Sequence, residues 1–183
     1  KAYSESLKSG SWRFDLKTAH ANVPFLIDFQ WNKKRLEGTL FNGKEKIPLK
    51  DIVYVRNSLT IPLQTYELTL ELKQDGENIL RGNLVRHNKF PKILTPVIGR
   101  FGENERFPGK KDAATIDLSG KWALTLKDEH GTPSQGVAIF EHKGNYFTGS
   151  ILTPTGDYRY CEGFVSANEF ECASFDGVYN YVL

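Results

Sequence analysis

Methionine is absent from this 183-residue chain, and cysteine occurs only at Cys161 and Cys172. Two cysteines without Cys-x-x-Cys spacing exclude a disulfide-built scaffold and a thioredoxin-type redox motif within the chain. Charge of one sign is also lacking: 24 Lys and Arg stand against 22 Asp and Glu, a formal net charge of +2. With no basic block or stripe, no nucleic-acid footprint is present. No apolar run approaches the roughly 18 residues that a membrane helix needs. A Gly-rich phosphate loop, a G-x-S-x-G elbow and a His-Glu-x-x-His motif are all missing. His20, His87, His130 and His142 fall in no metal-ligand spacing and read as solvated loop or strand-edge residues. Catalysis by this chain alone, a cofactor and a metal are therefore not expected. A start at Lys1 reads as a trimmed chain, with any signal peptide or lipid-anchor segment upstream.

Aromatics, in contrast, make up 13% of the chain, with twelve Phe and eight Tyr, which favours strands. Trp12, Phe14 and Leu16 alternate with Arg13 and Asp15, and Tyr66, Leu68, Leu70 and Leu72 alternate with Glu67, Thr69 and Glu71. That period marks half-buried antiparallel strands. Breakers recur at Asn42-Gly43, Arg56-Asn57, Asp75-Gly76, Gly144-Asn145 and Ser166-Ala167-Asn168, a spacing that suits an up-and-down barrel or packed sheets. No window carries a capped 3.6-residue apolar period, so no helix is expected. The fold class is all-β: two tandem antiparallel β-meanders of roughly ten strands in total, closed as a calycin-like barrel or packed as sheets.

The tandem reading comes from an internal repeat. Ser9–Leu16 reads SGSWRFDL and Ser119–Leu126 reads SGKWALTL. Further along, Leu36–Leu40 answers to Phe147–Ile151, Phe29 to Phe140, and the hairpin Val53–Ile61 to Phe164–Cys172, with Asn57 and Asn168 at equivalent turns. Residues 1–86 form the first meander, 87–116 a Pro/Gly-rich crossover with one or two short strands, and 117–183 the second, the whole as one compact domain. Tyr66–Leu72 maps onto Gly177–Leu183, whereas the first copy continues through the strong strand Asn78–Arg86. An unpaired edge exposes backbone donors and acceptors, so the second copy is expected to be truncated, with more protein beyond Leu183. Trp12 and Trp122 are read as core plugs at equivalent corners, ahead of a small-molecule cavity behind either indole.

Two groups of residues could carry chemistry. Asp157 and Arg159, in Gly156–Tyr160, and Asp176, in Phe175–Gly177, could form a buried ion-pair network pinning strand register, or bind an anionic or carbonyl group; Arg106 belongs to the same candidate set. Alternation places Arg159 on the face of Asp157 and Cys161, pointing inward. For the cysteines the hairpin turn decides. A two-residue Ser166-Ala167 turn sets Cys161 opposite Cys172, where a disulfide is open to them. A three-residue turn ending at Asn168 puts them on opposite faces as buried thiols.

From Gly136 onward, the stretch Thr148–Thr153, the run Thr155-Gly156-Asp157-Tyr158-Arg159-Tyr160, Glu162-Gly163 and Ser174-Phe175-Asp176-Gly177 resemble one known region. It is the domain preceding the thioredoxin fold in extracytoplasmic bacterial TlpA-like thiol–disulfide oxidoreductases, redoxin-type proteins that are often lipoproteins. Gly102–Phe107 and SGKWALTL resemble the crossover and the following strand of that region. Cys161 and Cys172 depart from it, standing where Leu is expected. The thioredoxin domain with its Cys-x-x-Cys is not in this chain, so no redox role transfers to any residue. The resemblance implies a non-catalytic accessory domain in the periplasm, or otherwise extracytoplasmic. Its partners would be a downstream thioredoxin-like domain and client proteins, with membrane contact only through an N-terminal lipid anchor. The alternative is a lipocalin- or avidin-like barrel that binds a small apolar ligand.

Overall fold

The computed structural model describes residues 7–19, 21–63, 67–109, 112–127 and 131–183. Among them there are strands and turns but no helix. Strands β1 (Gly10–Lys17), β2 (Asn22–Asn32), β3 (Arg35–Asn42), β4 (Glu45–Leu49), β5 (Val53–Val55), β6 (Ser58–Leu63), β7 (Leu68–Gln74), β8 (Ile79–Arg86) and β9 (Ile93–Phe101) make one curled antiparallel sheet. Its order is β4-β3-β2-β1-β9-β8-β7-β6-β5. Strands β10 (Gly120–Lys127), β11 (Pro133–Lys143), β12 (Tyr146–Thr153), β13 (Gly156–Ser166), β14 (Glu169–Phe175) and β15 (Asn180–Val182) form a second sheet in chain order.

The single compact domain expected from the sequence gives way to two units. One holds the stretch up to Asn42, residues 46–106 and residues 175–180; the other holds residues 43–45, 107–174 and 181–183. The boundary at Arg106/Phe107 falls within the crossover. Its Ile93–Phe101 stretch is a full strand that pairs with both β8 and β1. A strand in the crossover was expected, but as a short one, whereas β4 was not; among the described residues there are fifteen strands against the roughly ten expected.

In the first unit β4 and β5 are opposite edges of the sheet, yet only Lys50-Asp51-Ile52 separates them. Such a link spans at most roughly 14 Å between strand ends, so the sheet must curl until its edges approach. Asp51 turns the corner at φ 56°. At the other seam, β1 matches Trp12 to Phe101, Phe14 to Gly99 and Leu16 to Val97. The alternating apolar residues of β1 and β2 fill the concave face: Trp12, Phe14, Leu16, Phe25 and Ile27 are fully buried. Phe14 stacks on Phe25 at 5.2 Å, and Trp12 meets Phe101 at 5.4 Å. Gly99 lies under the Phe14 ring, where a Cβ would come within 2.4 Å of it.

The second unit repeats this plan. Strands β11 and β12 match β2 and β3 in length, and β13 runs unbroken where the first unit has β4, a corner and β5. A remnant of the corner survives as a bulge: the β12–β13 register shifts between Gly149 and Ile151, and Tyr160 has φ 57°. The core gathers Ala138, Phe140, Phe147, Ile151, Val165 and the two cysteines, and a smaller cluster of Phe107, Phe164 and Ala173 lies apart from it. Among the described residues, β10 has β11 as its one ladder neighbour, whereas β1 lies between β2 and β9.

The two tryptophans show what that difference does. Each donates its Nε1–H to the carbonyl four residues earlier, Trp12 to Lys8 at 3.1 Å and Trp122 to Leu118 at 2.8 Å. Trp12 is nevertheless 0% exposed and Trp122 44%. The expected plug is thus found in one copy only. Replacement of Trp12 by Ala should cost about 3–5 kcal/mol, and Trp122→Ala no more than about 1 kcal/mol, in urea denaturation followed by far-UV circular dichroism. Equal losses would contradict the difference in burial. Gly99→Ala should cost about 1–3 kcal/mol through overpacking against Phe14, measured in the same way.

Candidate functional site

The polar set picked out from the sequence is not one cluster. Arg106 is buried in the first unit, and its Nε donates to the Pro24 carbonyl at 2.7 Å. Asp176, also in the first unit, caps a turn: its Oδ1 accepts the backbone N–H groups of Val178 and Tyr179, both at 2.8 Å. Asp157 and Arg159 are exposed on β13 in the second unit. Simple alternation carries Arg159 inward with Cys161, but the bulge at Tyr160 shifts the phase by one residue. Cys161 then points to the core and Arg159 to solvent. The buried Arg159–Asp157 network expected from the sequence does not form.

The cysteine geometry follows a turn that neither sequence alternative included. Ser166 pairs with Glu169, so the two-residue turn is Ala167-Asn168, and Gly163 lies opposite Cys172. Ala167 takes φ 52° there, as the first position of such a hairpin turn requires. Cys161 is on the same face as Cys172 but two residues out of register. A diagonal pair of this kind is about 7–8 Å apart at Cα, beyond the usual disulfide range of about 4.4–6.8 Å. Both side chains are fully buried thiols, and the disulfide weighed from the sequence is not formed. The Cys161 thiol lies 3.5 Å from the Tyr158 carbonyl.

Sequence reading missed a charge network on the first unit, across the β1–β9 seam. Arg13 reaches Asp15 at 2.6 Å and Glu103 at 2.8 Å, and Arg100 reaches Asp15 at 2.6 Å. Two guanidinium groups and two carboxylates neutralise one another, so the group clamps strands and presents no net charge to a ligand. Arg13 and Asp15 were visible as alternating polar residues of β1. Their partners became visible only when β9 was found beside them.

In the second unit, His142, read from the sequence as a solvated loop or strand-edge residue, is buried instead; His20 and His130 lie outside the described residues. The His142 side chain is 5% exposed, its Nδ1 accepts the Leu118 N–H at 3.2 Å, and Asp117 Oδ1 lies 3.3 Å from the same nitrogen. The Ser119 hydroxyl and backbone N–H, at 2.6 and 2.8 Å, hold the Asp117 carboxyl below its usual range. Apolar side chains are also exposed on this unit, among them Trp122, Val137, Ile139, Tyr146 and Phe170. An open groove of about 710 Å³, lined by Phe107, Phe164 and Phe170 with Asp112, Glu169 and Glu171, adds a mixed aromatic and acidic surface. Among the described residues no three His, Cys, Asp or Glu side chains are grouped to hold a metal ion.

Comparison with protein-family models, with curated proteins and with solved structures found no match.

Buried thiols in a rigid core are inert. Native protein should therefore take up thiol reagent only after unfolding in denaturant. Its intact mass should not rise on reduction, where one disulfide would add about 2 Da. Fast labelling of native protein would contradict the burial of both groups.

Proposed function

We propose that this chain is a non-catalytic interaction domain of an extracytoplasmic, TlpA-like thiol–disulfide oxidoreductase. In this reading it recognises or positions a thioredoxin-like domain and its clients. The residues Gly156–Tyr160 and Ser174–Gly177 support the family, and the apolar exposure of the second unit supports the role. The observation that carries the reading is Trp122. Its counterpart Trp12 is buried under Phe101, whereas Trp122 is 44% exposed on β10, which has one ladder neighbour. Exposed apolar surface beside an open sheet edge suits docking of another polypeptide. Anchoring through an upstream lipid belongs to the same proposal.

The alternative reading, an apolar-ligand barrel, draws on the curled meander of the first unit. The stacked rings of Phe14 and Phe25, with Phe175 4.4 Å from Phe25, occupy the space such a ligand would take.

Titration of the purified chain with a TlpA-type thioredoxin-like domain tests the proposal. Saturable binding with a Kd in the micromolar range, weakened at least about tenfold by Trp122→Ser, is the expected result. Absence of saturable binding in both redox states of that domain would overturn it.

A further inference from the structure

The internal repeat places His142 where the first copy has Trp31, and the two residues solve the same problem with opposite polarity. In the first unit the Trp31 Nε1–H donates to the Leu7 carbonyl at 2.7 Å. In the second, His142 Nδ1 accepts from the Leu118 N–H. Leu7 and Leu118 are both buried in the segment leading into the Ser-Gly-x-Trp strand, one residue apart in the repeat, since Leu118 answers to Lys8. An indole cannot change its role with pH, but an imidazole can.

We propose that His142 is a proton-operated latch that holds the Leu118 segment and Trp122 on the second unit when neutral and releases them when protonated. Only an unprotonated Nδ1 can accept the Leu118 N–H, so the neutral ring carries its proton on Nε2. That atom is buried and has no hydrogen-bond partner among the described residues. A second proton turns Nδ1 into a donor facing the donor of Leu118, and it leaves a cation with a buried, unsatisfied N–H. Both changes disfavour the closed arrangement. The freed Nδ1–H has an acceptor waiting in Asp117 Oδ1, 3.3 Å away on a side chain that is 76% exposed. The ring therefore exchanges a backbone partner in the core for a carboxylate at the surface. Asp117 is already anchored by the Ser119 hydroxyl and N–H, which hold its carboxyl below its usual range.

Among the described residues, Asp117 is the one charged group in contact with the ring. Phe147 meets it edge-on at 6.3 Å. Glu141 and Lys143 flank it on β11, but alternation sends their side chains to the opposite face. Release of Leu118 also frees the carbonyl that holds the Trp122 indole, so the latch governs the most exposed tryptophan of the chain.

Amide hydrogen exchange of the whole chain, corrected for intrinsic rates, tests this at about pH 8 and about pH 5. The protection factor of the Leu118 amide should fall at least about tenfold on acidification, while core amides of β2 keep theirs. In His142→Asn, whose side-chain oxygen can accept but not titrate, Leu118 protection should be the same at both pH values. Nitrogen-15 shifts of the ring at the higher pH should report the Nε2–H tautomer. An Nδ1–H tautomer, or pH-independent Leu118 protection in the wild-type protein, would overturn the proposal. So would pH dependence that persists in His142→Asn.

Discussion

The ladder between β1 and β9 does more than add one strand pair to the first unit. It joins the beginning of the meander to its end, so the entropy of closing a long chain segment must be met by the contacts at that seam. Those contacts come in two layers. On the concave side Trp12 meets Phe101, and Phe14 lies over Gly99. On the other side Arg13, Asp15, Arg100 and Glu103 interlock. The apolar layer supplies burial. The charged layer contributes mainly a geometric condition: Arg13 lies directly opposite Arg100 in the register, and Asp15 and Glu103 each reach both guanidinium groups.

The second unit keeps the local devices of the first without that seam. The indole-to-carbonyl bond, the positive-φ glycines Gly10 and Gly120 before the tryptophan strand, and the paired lengths of β2/β11 and β3/β12 all recur. Trp122 is nevertheless half exposed, while its counterpart is sealed. Local sequence sets how the indole is anchored, and the neighbouring strand decides whether it is buried. The same division explains His142, whose anchoring to the entering chain segment is inherited from the repeat and whose chemistry is its own.

Much of this architecture was legible in the sequence. Alternation marked Trp12–Leu16 and Leu68–Leu72, which lie within β1 and β7, as strands of the first meander, and the Trp12/Trp122 echo gave the repeat. Two kinds of feature were not legible. One was phase. A single bulge at Tyr160 reverses which side chains of β13 face the core, and nothing in Asp157-Tyr158-Arg159-Tyr160 announces it. Likewise, a one-residue change in the β13–β14 turn separates the cysteines. The other was long-range pairing. Ile93–Phe101 looks like a proline- and glycine-bearing crossover, and only β1 and β8 on either side make it a central strand. The Arg13–Asp15 clamp and the buried setting of His142 were hidden for the same reason, since each depends on a neighbour far away in the chain.

The corner at Lys50-Asp51-Ile52 sets a further condition on the first unit. In an open sheet, one strand can slip by two residues against its neighbour and keep its faces. Here β4 and β5 belong to opposite edges but are tied by a link too short to take up slack. A shift of β4 along β3 therefore pulls on β5 and its pairing with β6. The stagger of the two edge strands is coupled through this link. A small error in pairing cannot remain local in this unit.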